Sequence, residues 1–459
     1  MTQTTAAAPA AVSFDASGAD LRGRWLVEAS AGTGKTYALE RIVLRLIVEE
    51  GLAVERILVV TFTTAATGEL RERIRSLLYK AARELAADQS GQAGEFADFF
   101  NRSRAKGFDP AERIQTALEH FDEASVLTIH GFCQKMLSEF IFTRAGAYDV
   151  EFSSNTGFEE QAVEEFTRAE LPALTDEQKE KFLNWNGLSA LLKKLCERGA
   201  SVSPQALAGV SDLEAPVLSQ VFGRFLQQAP ERVRELERLH GVKSFSALLT
   251  DMYDLVESDA DAAARIRSRY GAVLVDEFQD TDRVQYRIFS RLFLTNEPGA
   301  PESVFFVGDP KQAIYAFRGA ELDVYIKARG DIASACAAGS SGGFATLATN
   351  YRSAPALMGA VNAFFSPKGE EGSFLTDEIT YTEIGAGASA APLMRVRDGA
   401  AFPVPVMTLM LDDGSLSGHP VADVAQAEAE RMAEDIASLL DGTVYLFRGG
   451  HWRPLRAGD

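Results

Sequence analysis

The sequence predicts an α/β fold built on a mostly parallel sheet, and three observations predict it. Short apolar runs recur along the chain, each ending in polar or glycine-containing residues, as strands buried on both faces do. Apolar residues at helical spacing follow several of these runs. A glycine-rich turn joins one such run to the helix after it, in the alternation of strand and helix that marks this class.

Residues 1–12 form an Ala/Thr-rich tail expected to be disordered. Trp25-Leu26-Val27 is the first strand. After Thr36, the residues Leu39, Ile42, Val43, Leu46 and Ile47 share one helical face, so 37–49 reads as a helix. The runs Ile57-Leu58-Val59-Val60, Val126-Leu127-Thr128-Ile129, Val273-Leu274-Val275 and Val304-Phe305-Phe306-Val307 are further strands of the same sheet. Residues 140–245 look almost wholly helical, charge-rich and without strand runs, and read as a helical insertion. Their densest charge run, Glu231 to Arg238, mixes signs, with opposite charges at i,i+3 (Glu231 with Arg234, Glu235 with Arg238). That is how a solvated helix face looks. Residues 337–343 read as a flexible loop or hinge, 345–348 as a strand, 366–400 as loop-rich and 421–440 as a helix.

A length of 459 residues suggests about three domains or subdomains. With 46% apolar and 24% charged residues, a sizeable core is expected. The 37 Gly and 16 Pro are near average use, which excludes a collagen-like or wholly disordered chain. A net charge of −19 argues against a polycationic coat for nucleic acid, though not against a local basic groove. No uncharged apolar run reaches the ~18 residues that span a bilayer, so no membrane partner is expected. The first basic residue is Arg22, whereas a secretory leader starts basic and continues apolar. Cys133, Cys196 and Cys336 lack metal-like spacing, and the five histidines do not cluster. The reading is a reduced, cytoplasmic protein without a zinc site.

Residues 29–36 read Ala29-Ser30-Ala31-Gly32-Thr33-Gly34-Lys35-Thr36. The phosphate-loop pattern is Gly, four residues, then Gly-Lys-Ser/Thr, so Ala29 replaces the first glycine. The required context, a strand before and a helix after, is present. Backbone N–H groups of such a loop close round phosphate oxygens, and the helix N-terminus adds positive potential. Lys35 is placed to neutralise the β/γ-phosphates, and Thr36 to ligate Mg²⁺. The alternative is an incidental glycine-rich turn.

Val273-Leu274-Val275 ends in Asp276-Glu277. An Asp at a strand end can hold Mg²⁺, and a neighbouring Glu can orient an attacking water. With 65 acidic residues in the chain, roughly nine adjacent acidic pairs arise by chance, so the preceding strand carries the argument. Open α/β sheets bind ligands beyond the carboxyl ends of their strands, where both motifs lie.

The residues Asp276-Glu277-Phe278-Gln279-Asp280-Thr281 are followed by Gly308-Asp309-Pro310-Lys311-Gln312-Ala313-Ile314-Tyr315-Ala316-Phe317-Arg318-Gly319-Ala320 and then Thr349-Asn350-Tyr351-Arg352-Ser353. Upstream lie Thr61-Phe62-Thr63, with Ala66, Glu69, Leu70 and Arg71, and Thr128-Ile129-His130-Gly131-Phe132-Cys133. In this order the set resembles superfamily 1A DNA helicases of the UvrD/Rep type. Its wording is most similar to the RecB family, the beta subunits of exodeoxyribonuclease V. The resemblance covers residues 20–360 well and 361–459 weakly.

That resemblance implies a P-loop NTPase of RecA-like fold. A first motor domain would span 13–139 and 246–335, with the helical insertion at 140–245 and an incomplete second motor domain at 336–459. It implies ATP and Mg²⁺, with Lys35 and Thr36 on phosphate and metal and Asp276 helping with the metal. Glu277 would activate water, Gln312 sense the γ-phosphate, Tyr351 stack on adenine and Arg352 contact the γ-phosphate. Thr61, Phe62, Thr63, His130, Tyr315, Phe317 and Arg318 would meet single-stranded DNA or link it to the ATP site. The implied partners are single-stranded DNA, duplex DNA ends and RecC-like and RecD-like subunits, in double-strand break repair and recombination. Aromatic faces stack on any base, for about 1–3 kcal/mol each, which suits a motor indifferent to sequence. From the residues alone, Phe62 and Phe317 could be core, His130 a buried histidine, and Arg352 an ordinary surface residue.

Some family features are not matched. No later Arg-containing motif is evident among Arg395, Arg397, Arg431, Arg448, Arg453 and Arg456, and Gln3 is the only glutamine before the phosphate loop. The expectation is an N-terminal piece of a longer protein, without a nuclease domain and weakly active alone. Two other readings remain: a catalytically incomplete helicase-derived scaffold, or another P-loop NTPase.

Overall fold

The computed structural model describes residues 12–87, 94–141, 151–153, 156–183, 188–198, 216–313, 322–337, 339, 341–366, 381–387, 393–397, 400–403, 421–440, 442–448 and 451–456. The strands in chain order begin with β1 (Val12–Ser13), β2 (Gly23–Ala29), β3 (Ile57–Thr61) and β4 (Ser125–Thr128). Next come β5 (Glu151–Ser153), β6 (Val242–Ser244), β7 (Ala272–Val275), β8 (Ser303–Gly308) and β9 (Gly342–Leu347). Seven of them form one sheet in the order β1-β9-β2-β8-β7-β3-β4, every neighbouring pair parallel. The five apolar runs read as strands are all in it, and so is the strand read at 345–348, as the end of β9.

The apolar runs carry the sheet because alternate residues enter two separate cores. Val27, Val59, Leu274, Phe305 and Val307 face one layer, with helix α1 (Lys35–Val48), helix α2 (Thr64–Ala87) and the helices Ala97–Ala105 and Pro110–Glu119. Leu26, Leu58, Val60, Val273, Val275, Val304 and Phe306 face the other, with the helices Ile129–Ile141, Phe245–Ser258, Ala260–Arg269, Arg283–Phe293 and Leu322–Ala337. Continuous apolar strands need cover on both faces, and both are covered. Helix α1 is buried well beyond the expected stripe, from Ala38 to Val48. Its charges are paired inside: Arg45 reaches Glu49 at 2.8 Å and the Ala16 carbonyl at 3.0 Å.

The segment 140–245 is mainly helical among its described residues, with a core of its own around Phe166, Leu192, Phe225 and Val233. It departs from expectation in holding β5 and β6, which pair in parallel. In the charge run, Glu231, Arg234, Glu235 and Arg238 are exposed, while Val233, Leu236 and Glu237 are buried. Arg232 bridges Glu235 and Glu165, both at 2.6 Å.

The glycines read as a hinge instead begin β9. Gly342 lies so close to β2 that a Cβ there would overlap the Arg24 carbonyl oxygen, so a strand pairs where composition suggests a loop. β9 falls within 336–459 yet is hydrogen-bonded into the first sheet. Beyond it, β10 (Thr349–Asn350) pairs with β11 (Gly385–Ala386). A separate antiparallel sheet joins β12 (Leu393–Arg397), β13 (Ala400–Pro403), β14 (Val444–Arg448) and β15 (His451–Pro454). The expected late helix is Val421–Leu439.

Candidate active site

The carboxyl ends of β2, β8, β7, β3 and β4 stand side by side, and each carries one of the sequence motifs. Residue Ala29 explains the missing first glycine: it is the last residue of β2, fully buried and paired with Leu347. No left-handed backbone is needed there, so a small side chain suffices. Gly32 and Gly34 do need it, with φ of 79° and 87°. A Cβ on Gly32 would stand 2.7 Å from Asn350 Nδ2 and 2.9 Å from Arg352 Cβ. The loop is pinned internally by Thr33, whose hydroxyl donates to the Ser30 carbonyl at 2.7 Å. Gly34 caps α1 without a side-chain acceptor, so no side chain of the cap competes with an anion for the first-turn N–H groups.

Lys35 Nζ lies 2.5 Å from Glu277 Oε2. Glu277 is the single described non-glycine residue with left-handed backbone, at φ 50°. That conformation costs on the order of 1–2 kcal/mol and is held by a hydrogen bond from Glu277 N–H to Asp276 Oδ1 at 2.9 Å. Phe278, the next residue, stacks flat on Phe306 with ring centroids 4.4 Å apart. The turn is therefore anchored in the core while its carboxylates face the phosphate loop. Burial, then repulsion from Glu277, pushes the Asp276 carboxyl up to about 6 against the pull of Lys35. The same causes in the same order push Asp280 up to about 6. Asp280 Oδ1 is buried and lacks any hydrogen-bond partner.

Between these elements, β8 ends in a turn organised by Asp309, which is 2% exposed. Its carboxylate accepts from Gln312 Nε2 at 2.8 Å, from Lys311 N–H at 3.1 Å and from Lys311 Nζ at 2.9 Å. Lys311 also pairs with Glu28 on β2. Burial alone would raise the Asp309 carboxyl, but Lys311 and Gln312 outweigh it and hold it below its ordinary value. Asn350 braces the loop from the far side. Its Nδ2 donates to the Ala31 carbonyl at 2.8 Å, and its Oδ1 accepts from Arg352 and Ser353 N–H at 2.8 and 2.7 Å. Tyr351 N–H donates to the Gly32 carbonyl at 2.8 Å. Tyr351 and Arg352 thus flank the phosphate loop with exposed side chains.

The sequence that builds this site is similar to that of known proteins. Residues 14–333 match the UvrD/REP helicase N-terminal domain. The chain belongs to that family. It is 27% identical to the RecBCD enzyme subunit RecB of Escherichia coli (strain K12), across 96% of this chain and 46% of that protein. It is 34% identical to the RecBCD enzyme subunit RecB of Mycobacterium tuberculosis (strain CDC 1551 / Oshkosh), across 72% of this chain and 29% of that protein. The subunit of the same name from Chlamydia trachomatis is 27% identical across 76% of this chain and 43% of its own length. The chain therefore spans less than half the length of these relatives.

In this UvrD/REP-type domain the edge continues into β3 and β4, where Thr61 pairs with Thr128. Thr61 is buried, and its hydroxyl lies 2.5 Å from that of Thr67 and 3.2 Å from the Thr63 carbonyl. Thr63 Oγ1 accepts from Ala66 N–H at the start of α2, Phe62 is half-buried, and Thr63 is exposed. His130 is half-buried, edge-on to Phe245 at 5.1 Å, and burial lowers its pKa. The expected DNA-facing residues Tyr315, Phe317 and Arg318 lie outside the described residues. Sequence reasoning assigned no role to Gln279, Asp280, Asp309, Lys311 or Asn350. Each lies within a motif quoted for the family, which was the available signal.

The residues fit a magnesium nucleotide. Asp276 offers a half-buried carboxylate just past the end of β7, and Thr36 offers a hydroxyl in the first turn of α1. Among the described residues no group of three or more His, Cys, Asp and Glu side chains could hold a metal. Mg²⁺ commonly takes one or two protein carboxylates and completes its shell with phosphate oxygens and water, so a sparse donor set suits it.

Proposed function

We propose that the chain is the ATP-hydrolysing motor part of a RecB-like DNA helicase. The observation that carries this reading is the meeting of Lys35 and Glu277 at the edge of the sheet, in a chain of the UvrD/REP family. Lys35 binds the β/γ-phosphates and so leaves Glu277, which is then free to orient the attacking water and take its proton. Gln312 and Arg352 address the γ-phosphate, and Tyr351 stacks on the base. Mg²⁺, held by Thr36 and Asp276, would neutralise charge on the phosphate oxygens. ATP closes a cleft between the first sheet domain and the segment carrying Tyr351 and Arg352, and hydrolysis reopens it, by differential contact with the two states.

The strand ends at Thr61–Thr63 and Thr128–His130 extend the site along the same edge, which supports single-stranded DNA as the track. We assign 13–139 with 246–335 to the first motor domain, whose sheet also takes in β9, 140–245 to an insertion and the rest of 336–459 to the start of a second motor domain. The whole protein would act on DNA ends in the cytoplasm with RecC-like and RecD-like partners, in double-strand break repair. Among the described residues no helix is long and apolar enough to cross a membrane.

The test is ATP hydrolysis by the chain with and without a single-stranded oligonucleotide. Stimulation that is lost in Lys35→Ala supports the motor. Turnover indifferent to the oligonucleotide favours another P-loop NTPase, and failure to bind Mg-ATP favours a scaffold.

A further inference from the structure

We infer that Gln279 is a positioning residue that couples Glu277 to the Asp309–Gln312 turn during nucleotide turnover. This rests on reading the site as an ATP-hydrolysing motor. Gln279 is 3% exposed, and both polar atoms of its side-chain amide are hydrogen-bonded. Nε2 donates to Glu277 Oε2 at 2.8 Å and to Asp280 Oδ2 at 3.3 Å. Oε1 accepts from Asp309 N–H at 2.9 Å. The orientation of the amide is fixed by these partners. Turned over, it would set its oxygen against two carboxylates and its NH₂ group against an N–H donor.

The strand ends are shaped around this contact. A Cβ on Gly308 would stand 2.6 Å from Gln279 Oε1, 3.0 Å from Gln279 N and 3.1 Å from Phe278 N. Any larger residue there would push β8 away from the amide. The connection then runs on through one residue, because Asp309 holds both Gln312 and Lys311. Glu277 Oε2 accepts from Lys35 and from Gln279 together. Once Lys35 turns to phosphate, Gln279 is the partner that keeps the carboxylate aimed. A shift of the turn bearing Gln312 therefore moves the Asp309 N–H, then the amide, then Glu277. An ionised Glu, Lys or Arg cannot replace the amide, because a carboxylate cannot donate and an ammonium or guanidinium cannot accept.

The test compares wild type, Gln279→Met and Gln279→Glu. It measures ATP turnover with and without a single-stranded oligonucleotide, affinity for a fluorescent Mg-ATP analogue, and thermal melting. Gln279→Met keeps the volume and removes all three hydrogen bonds. Its nucleotide affinity is expected to stay within about threefold, while kcat falls by about 10²-fold, as misplacement of a catalytic group does, and oligonucleotide stimulation is lost. Gln279→Glu keeps the acceptor for Asp309 N–H and loses the donor to Glu277, so it also loses turnover and keeps binding. It stands in should the Met variant not fold. Unchanged kcat and stimulation in these variants overturns the proposal, as does a rise in KM at constant kcat. A loss of turnover that only tracks a loss of folded protein overturns it too. Absence of turnover in the wild type instead removes the motor reading, and the coupling role with it.

Discussion

Lys35 and Glu277, 242 positions apart in the chain, are joined by a 2.5 Å contact between Nζ and Oε2. The pair links the helix after β2 to the turn after β7, two strands away, so it depends on the sheet order and on no local sequence feature. Because both side chains are only partly exposed, each loss has a distinct signature. Lys35→Ala is expected to abolish nucleotide binding and turnover together. Glu277→Gln keeps binding and lowers kcat by about 10²–10⁴-fold, the usual contribution of a general base. Titration with a fluorescent nucleotide, alongside steady-state hydrolysis, separates the two.

Asp280 predicts a slope of stability with pH. Burial first, then Glu277, raises its carboxyl to about 6, above the ~4 of an unfolded chain. A group raised in this way stabilises the fold below its unfolded pKa, and that contribution is lost as pH rises through its folded value. Melting temperature is therefore expected to fall between about pH 4 and pH 7 from this residue. Asp280→Asn removes the ionisation and flattens that part of the curve. Equal slopes in wild type and variant would count against it.

Most of the sheet was legible because its strands are continuous apolar runs, as doubly covered strands must be. One strand and the start of another were not. β1 is two residues long, and β9, expected at 345–348, begins earlier at Gly342 and Gly343, whose composition reads as a hinge. What sets that start in place is its closeness to Arg24, a tertiary fact with no local signal. The site behaves similarly. Lys35, Asp276 and Glu277 stood out because strand ends precede them. Gln279, Asp309 and Asn350 did not, because amides and short acids occur in every loop and declare themselves only through partners 30 to 319 positions away.

Glu49 carries a stability prediction independent of the site. It is 2% exposed and receives Arg45 at 2.8 Å and Arg102 at 2.8 Å. Truncation leaves one buried and one half-buried guanidinium without this partner. Glu49→Ala is expected to destabilise the fold by about 3–5 kcal/mol, the range for breaking a buried ion pair. Denaturant unfolding measures it, and a loss below about 1 kcal/mol, the level of a surface pair, would contradict the assignment.

Asn350 offers the sharpest probe of how the phosphate loop is braced. Its amide donates to Ala31 on one side and caps the Tyr351–Ser353 turn on the other. Asn350→Asp is nearly isosteric and keeps the acceptor for Arg352 and Ser353 N–H. It loses the donor to the Ala31 carbonyl and puts negative charge beside the loop. The turn should survive, while nucleotide affinity falls about tenfold, equivalent to ~1.4 kcal/mol. That loss should change little as salt rises, because Asn350 is 4% exposed and a charge buried there is only weakly screened. A fluorescent-nucleotide titration, with thermal melting of the same variant alongside, distinguishes this from simple unfolding. An affinity equal to wild type would mean that Asn350 does not brace the loop in solution.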